Sequence, residues 1–248
     1  YLADFGALNE KSEDTESQLR TLNFQSVRQT RKLWQQSLFV RWEHEKFDAG
    51  DESGTINLIL PGVSWSRTLT RGGANPYWGN HLAVQFMGGH TSLFSDINLF
   101  KTVLSMKWLR TFRSKHKLIM SLDYGAIASD EFSQIPASHR FYVGGDRSIR
   151  GFKYRSISPE DDDGNLLGGR FKEVGSIEYD YNFFEKWSAA VFLDAGRAFD
   201  KFDERYHVGT GVGVRWQSPV GPLRLDMGFG ISEVDIPILF HLSIGPEL

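Results

Sequence analysis

The sequence predicts an all-β chain: an antiparallel transmembrane β-barrel with about twelve strands. Three observations predict it. Apolar residues recur at every second position through a series of short segments, which is the side-chain period of a strand. Connections alternate between short turns such as "SPVG" and "NFFEK" and long polar loops, as in outer-membrane barrels. Trp and Tyr stand near strand ends, Trp187 and Trp216 among them, where an aromatic girdle lies.

The elements follow in chain order. Segments around 1–8 and 17–28 are compatible with strands. "SLFVRWEHE" separates Leu38, Val40, Trp42 and His44 from Ser37, Phe39, Arg41 and Glu43. Segments 55–69, 81–91 and 96–111 alternate less cleanly. "KLIMSLDYG" separates Leu118, Met120, Leu122 and Tyr124 from Lys117, Ile119, Ser121 and Asp123. "GSIEYDY" sets Ile177, Tyr179 and Tyr181 against Ser176, Glu178 and Asp180, and "KWSAAVFLDAG" sets Val191 and Leu193 against Phe192 and Asp194. "HVGTGVGVRWQ" puts Val208, Thr210, Val212, Val214 and Trp216 on one face and Gly209, Gly211, Gly213, Arg215 and Gln217 on the other. "LRLDMGFG" and "ILFHLSIG" complete the series.

A soluble β-sandwich shares this pattern, with its apolar face as core. The barrel is favoured because the polar faces carry Arg, Asp and Glu in mid-strand beside glycines. That is unusual on a free surface and natural in a lumen. No linker or repeat marks a second domain, so residues 1–248 are expected to form one barrel domain.

Composition agrees. Aromatic residues are 14% of the chain, with 25 Gly and only 8 Pro, which favours strands. No apolar run is long enough for a transmembrane helix, but barrels hide their apolar residues at alternate positions. Lys plus Arg is 28 and Asp plus Glu is 31, so charge gives no reason to propose nucleic acid. The absence of Cys excludes thiolate metal sites, disulfides and cysteine nucleophiles.

The remaining motifs point away from catalysis. The glycines of "GTGVGV" alternate with valines inside a strand, unlike a nucleotide loop between strand and helix. "DDDGN" lacks the spacing of an EF-hand and is expected to be an acidic extracellular loop. His residues show no paired ligand spacing, and no G-x-S-x-G occurs. No enzyme activity, cofactor or metal is expected. Arg71 is expected in a loop or turn after a strand.

One loop motif stands apart. "GGDRSIRGF" spans Gly144 to Phe152, inside the longest non-strand region, about Ile127 to Val174. A loop arginine over a barrel is either solvated or inserted into the lumen, where it needs an anion. Glu178 and Asp194 occupy lumen-facing positions. Gly151 lets the backbone approach the wall, Phe152 wedges against it, and the glycine face Gly209, Gly211 and Gly213 leaves room for a folded-in loop.

The loop "GGDRSIRGFKY", the strand "GSIEYDY", the F-x-D of Phe192 and Asp194, and "GTGVGVRWQSPVGPLRLD" together resemble the BamA/TamA superfamily of outer-membrane insertases and translocators. The loop wording and the ending "IGPEL" are most similar to its TamA members. The resemblance is strongest from Phe141 onward. It implies that Arg150, of the loop-lock motif Arg150, Gly151 and Phe152, pairs with an acidic lumen partner, with Glu178, Phe192 and Asp194 matching the family's wall motifs. It implies a bacterial outer-membrane location and a bilayer environment. The implied role is insertion or secretion of β-barrel clients such as autotransporters. The last strand, with Phe240, Leu242, Ile244 and Gly245, would form the seam, and a TamB-like inner-membrane-anchored protein would be a partner.

A two-partner secretion channel shares the loop motif and is the alternative, as is a passive pore. The family has sixteen strands and preceding POTRA domains, so the first four strands and those domains are expected to be missing from this chain. Because an unpaired edge in lipid costs several kcal/mol per unsatisfied group, closure on itself or on a new partner is expected.

Overall fold

The alternating segments all become strands in the computed structural model, which describes residues 1–11, 15–30, 32–49, 52–73, 75–218 and 221–245. They are β1 (Leu2–Lys11), β2 (Thr15–Gln29), β3 (Gln35–Ala49), β4 (Glu52–Arg71), β5 (Trp78–Gly89) and β6 (Leu99–Phe112). Then come β7 (His116–Ser129), β8 (Phe171–Phe184), β9 (Trp187–Phe199), β10 (His207–Ser218), β11 (Gly221–Phe229) and β12 (Ile238–Ile244). Each strand runs antiparallel to its sequence neighbour in one twelve-stranded sheet ordered β1 to β12.

At one end of the sheet the connections are all short, while the other end mixes short connections with long ones. Arg113–Lys115 joins β6 to β7, and Glu185–Lys186 joins β8 to β9. Pro219 and Val220 of "SPVG", and Pro246 to Leu248 of "IGPEL", lie outside the described residues. The 130–170 segment leaves from the opposite end. Trp187 and Trp216 are cross-strand partners at the short-turn end and stack at 5.8 Å between ring centres. Arg71 is the last residue of β4 rather than a loop residue, held in the ladder opposite Trp78.

The sheet curls around the long loop. Glu10 of β1 pairs with Arg155 at 2.8 Å, while His241 of β12 accepts a hydrogen bond from the Gly151 N–H at 3.1 Å. Both edge strands therefore meet one short piece of loop, while among the described residues the ladder runs from β1 to β12 with no β1–β12 pairing. Of the two closures expected, on itself or on a new partner, the first is not made among the described residues.

The expected division into an apolar outer face and a polar lumen holds in the C-terminal strands, where Val191, Leu193, Val212 and Leu225 are exposed outward. It fails at the long-loop end of β4 to β6. Ile56, Leu58, Leu60, Met87 and Leu99 point inward and pack with Ile135, Ala137, Phe141, Val143 and Ile149 of the loop. The loop thus carries its own apolar core into the barrel, and the lumenal face of β4 is apolar there too. Full burial of each such side chain contributes roughly 1.5–3 kcal/mol, so the loop is held by packing as well as by charge.

Candidate functional site

The loop folds back on glycines. Gly144, Gly145 and Gly151 adopt φ values of 107°, 100° and 92°, which side-chain-bearing residues rarely reach. The Ser148 hydroxyl accepts from the Gly144 N–H at 3.1 Å and its own N–H donates to the Gly145 carbonyl at 3.1 Å, closing the turn. This delivers Arg150 to the wall formed by β8, β9, β10 and β11.

The wall is built by register. Ser176 stands opposite Asp194 and Glu178 opposite Phe192, so both acids fall on one lumenal patch. Asp194 takes three hydrogen bonds from Arg150: from the backbone N–H at 3.1 Å, from Nε at 2.8 Å and from Nη2 at 2.9 Å. Nη1 donates to Glu178 at 2.5 Å and to Asp226 at 3.3 Å. The guanidinium carbon lies 3.5 Å from the centre of the Phe192 ring. Ser176 donates to Asp194 at 2.6 Å, fixing the carboxylate. Burial by itself would weaken the hold of Arg150 on its proton, but the hydrogen bonds and charge of Asp194, then Glu178, outweigh it and raise its pKa. The loop arginine therefore stays charged.

A second arginine completes the network. Arg215 of β10 donates to Glu178 at 2.8 Å and to Asp226 at 2.6 Å, with Asp180 3.8 Å away. Two buried cations thus share four carboxylates. Removing one member of such a network typically costs about 3–5 kcal/mol, because its partners are left uncompensated.

Small residues make the space. Gly209 faces Asp194 across the β9–β10 ladder, and a Cβ there would run into the Arg150 carbonyl. Gly211 clears the Phe192 ring, and Gly213 clears Arg215 and Asp226. Only Gly209 of the three makes room for the loop itself; the other two make room for wall side chains. Gly228 of β11 does what Gly209 does, lying against Gly151.

The loop is fixed on the far wall too. Ser138 bonds Glu45 through its hydroxyl and, at 3.3 Å, its N–H, and Ser17 donates to the same carboxylate at 2.6 Å. His139 Nε2 faces Glu43 at 2.6 Å, and Lys101 donates to the His139 carbonyl at 2.6 Å. Arg140 pairs with Glu52 and donates to the carbonyls of Ile135, Ser133 and Leu167. A cavity of about 700 Å³ is lined by Arg150, Asp226, Lys107, Arg147, Arg224 and His241, on the short-turn side of this plug.

The structure brings together Arg150, Glu178, Phe192, Asp194 and Gly209. Gly151 is close by but bonds His241. Phe152 lies outside the ion network but against the wall, buried edge-on to His207 of β10, 5.7 Å between ring centres. Phe240, Leu242 and Ile244 stand apart from the lock with exposed outward faces, Phe240 at 71%. Gly245 follows β12 rather than belonging to it, at φ 127°, with its N–H on the Pro222 carbonyl. Asp180, Arg215, Asp226 and His241 join the site although only their lumenal placement was readable. The far anchor at Glu43, Glu45 and His139 carried no motif; its one signal was acid at alternate positions in "RWEHE".

Comparison with known proteins completes the picture. The Omp85 superfamily domain model matches residues 4–247. The chain is 31% identical to the outer membrane protein assembly factor BamA of Nitratidesulfovibrio vulgaris, a match covering 77% of this chain and 26% of that protein. In fold it is similar to BamA from Haemophilus ducreyi lacking POTRA domains 1–3, with a TM-score of 0.76 and 16% identity over 98% of this chain and 57% of that one. It is also similar to CdiB from Acinetobacter baumannii, with a TM-score of 0.60 and 17% identity over 93% of this chain and 42% of that one.

Proposed function

The chain belongs to the Omp85 superfamily, whose barrels sit in the outer membrane, and from that premise we propose that it assists the assembly or secretion of β-barrel clients, such as autotransporters, through a lateral seam. One observation supports the seam over the pore. The lumen holds a loop bonded to both walls, as a plugged assembly factor would have and an open pore would not. An edge strand can add a client strand by main-chain hydrogen bonding, and lipid makes that pairing favourable because it leaves no other partner for the exposed backbone groups. The work needs no covalent chemistry.

The finer parts of the reading belong to the same proposal. Residues 1–248 serve as one barrel domain, the C-terminal share of a sixteen-stranded barrel that POTRA domains precede. The loop wording favours the TamA branch, and with it a TamB-like inner-membrane-anchored partner.

Because the chain lacks Cys, single cysteines introduced into the full-length protein report cleanly. Cysteines at Phe240, Leu242 and Ser243 are tested for disulfides with cysteines in a stalled client strand. Crosslinks with a period of two support the seam. Crosslinks confined to lumenal Arg215 or Asp226 would instead favour a polypeptide-secretion channel.

A further inference from the structure

Charge is segregated along this chain. Residues 53–122 contain eight Lys and Arg but a single acid, Asp96, although the whole chain has net charge -3. Three of these cations sit on the outer face near the short-turn end. Arg71 of β4 and Arg110 of β6 are both cross-strand partners of Trp78, and Arg110 shares its face with the exposed Phe100 and Met106. Arg67 lies on the same face of β4 as Arg71, opposite Leu82.

Each guanidinium lies over an indole. Arg71 is 5.1 Å and Arg110 4.4 Å from the centre of the Trp78 ring, and Arg110 is 4.6 Å from that of Trp108. Arg67 is 5.9 Å from the ring of Trp34. Arg110 is held in place by donating Nη1 to the Gly79 and Leu109 carbonyls and Nη2 to Asn80. Arg67 keeps a buried Nε without a hydrogen-bond partner. Among the described residues none of the three forms an ion pair with a carboxylate.

Two cations on one ring repel each other, and the aromatic girdle zone is partly desolvated, so the arrangement lacks an anion. Among the described residues no carboxylate provides one. Elsewhere in the girdle, Trp187 and Trp216 stack on one another instead. Outer-membrane barrels keep their short turns on the periplasmic side, and glycerophospholipid forms the leaflet there. We propose that Arg71 and Arg110 over Trp78 and Trp108, flanked by Arg67, bind the phosphodiester headgroup of an anionic glycerophospholipid in the periplasmic leaflet. Planar guanidiniums suit a phosphate, and the Trp78 ring holds both of them within about 5 Å of its centre. This site does not depend on any role in client assembly.

The test uses tryptophan quenching by brominated lipids. The chain is reconstituted in phosphatidylcholine bilayers, and brominated phosphatidylglycerol is compared with brominated phosphatidylcholine at equal mole fraction. Attraction near a membrane surface is about five-fold in affinity per arginine, so a preference of about five-fold or more is expected, falling as salt rises. R71Q/R110Q should abolish it while the unheated protein still migrates as a folded band. R71K/R110K, which keeps the charge but loses the stacked plane, should retain part of it. Equal quenching of the unaltered protein by the two lipids overturns the proposal, whether or not the variants fold. So does a preference that millimolar inorganic phosphate removes, which would mark a small-anion site, or a stronger preference for a brominated lipid A.

Discussion

Arg150 and Asp194 are joined three times, by the arginine's backbone N–H and by two edges of its guanidinium. A single carboxylate on β9 thus fixes both the path and the side chain of the loop. Replacing Arg150 with Ala leaves Asp194 buried without its cation and leaves Glu178 and Asp226 to Arg215 alone. The expected loss is about 3–5 kcal/mol. On unheated gels the folded band should give way at a clearly lower temperature than in the parent. Arg150→Lys should fall between the two, because an ammonium cannot reproduce the fork. An Ala variant as heat-resistant as the parent would show that the lock does not hold the loop.

The ring beneath that arginine has a smaller effect. Phe192 stacks under the guanidinium and fills the space left by Gly211. Phe192→Leu keeps most of the apolar volume and removes the cation–π contact. The expected cost is about 0.5–2 kcal/mol. In the same gel assay it should shift the unfolding temperature less than Arg150→Ala. A larger shift than that of the arginine variant would mean that ring packing, not the ion network, carries the site.

Glycine substitutions separate loop docking from strand stability. Ala at Gly209 would press on the Arg150 carbonyl, and Ala at Gly228 would place its Cβ 2.5 Å from the Gly151 nitrogen. A Cβ at Gly175 meets nothing within 4 Å. G209A and G228A should therefore speed tryptic cleavage at the loop residues Arg147 and Arg155. G175A should leave it unchanged, because Ala in a strand interior is no worse than Gly. Equal protection in all three would place the loop away from these strands.

How much of this was legible depends on which face each residue occupies. In β8 to β12 the outer face is apolar and the lumen polar, so Glu178, Phe192 and Asp194 could be assigned inward from alternation alone. In β4 to β6 the lumen side carries Leu58, Leu60 and Leu99, because the loop packs against it there. That erased the alternation and made segments 55–69, 81–91 and 96–111 the least regular. The loop's own core, Ile135, Val143 and Ile149, has no period, since isolated bridges rather than a ladder shape it. The partners Arg215 and Asp226 lie 37 and 48 positions from Glu178, a proximity that only sheet register supplies.

The two anchors of the loop lie on opposite walls, which gives the last prediction. Arg150 holds one side, and Glu45 through Ser138 holds the other together with Glu43, Lys101 and Glu52. Glu45→Gln weakens the far anchor without touching the Arg150 network, and Arg150→Ala does the reverse. Each alone should raise amide exchange locally, around 135–143 for the first and 147–152 for the second, while the apolar packing of Ile135, Val143 and Ile149 keeps the loop inside. Together they should release it, because the two anchors restrain one segment and their losses should exceed the sum of the singles. Planar-bilayer recordings read this directly. The parent and both single variants should show little steady current, and the double variant a sustained open level. A single variant that conducts as well as the double would mean that one wall alone holds the loop in place.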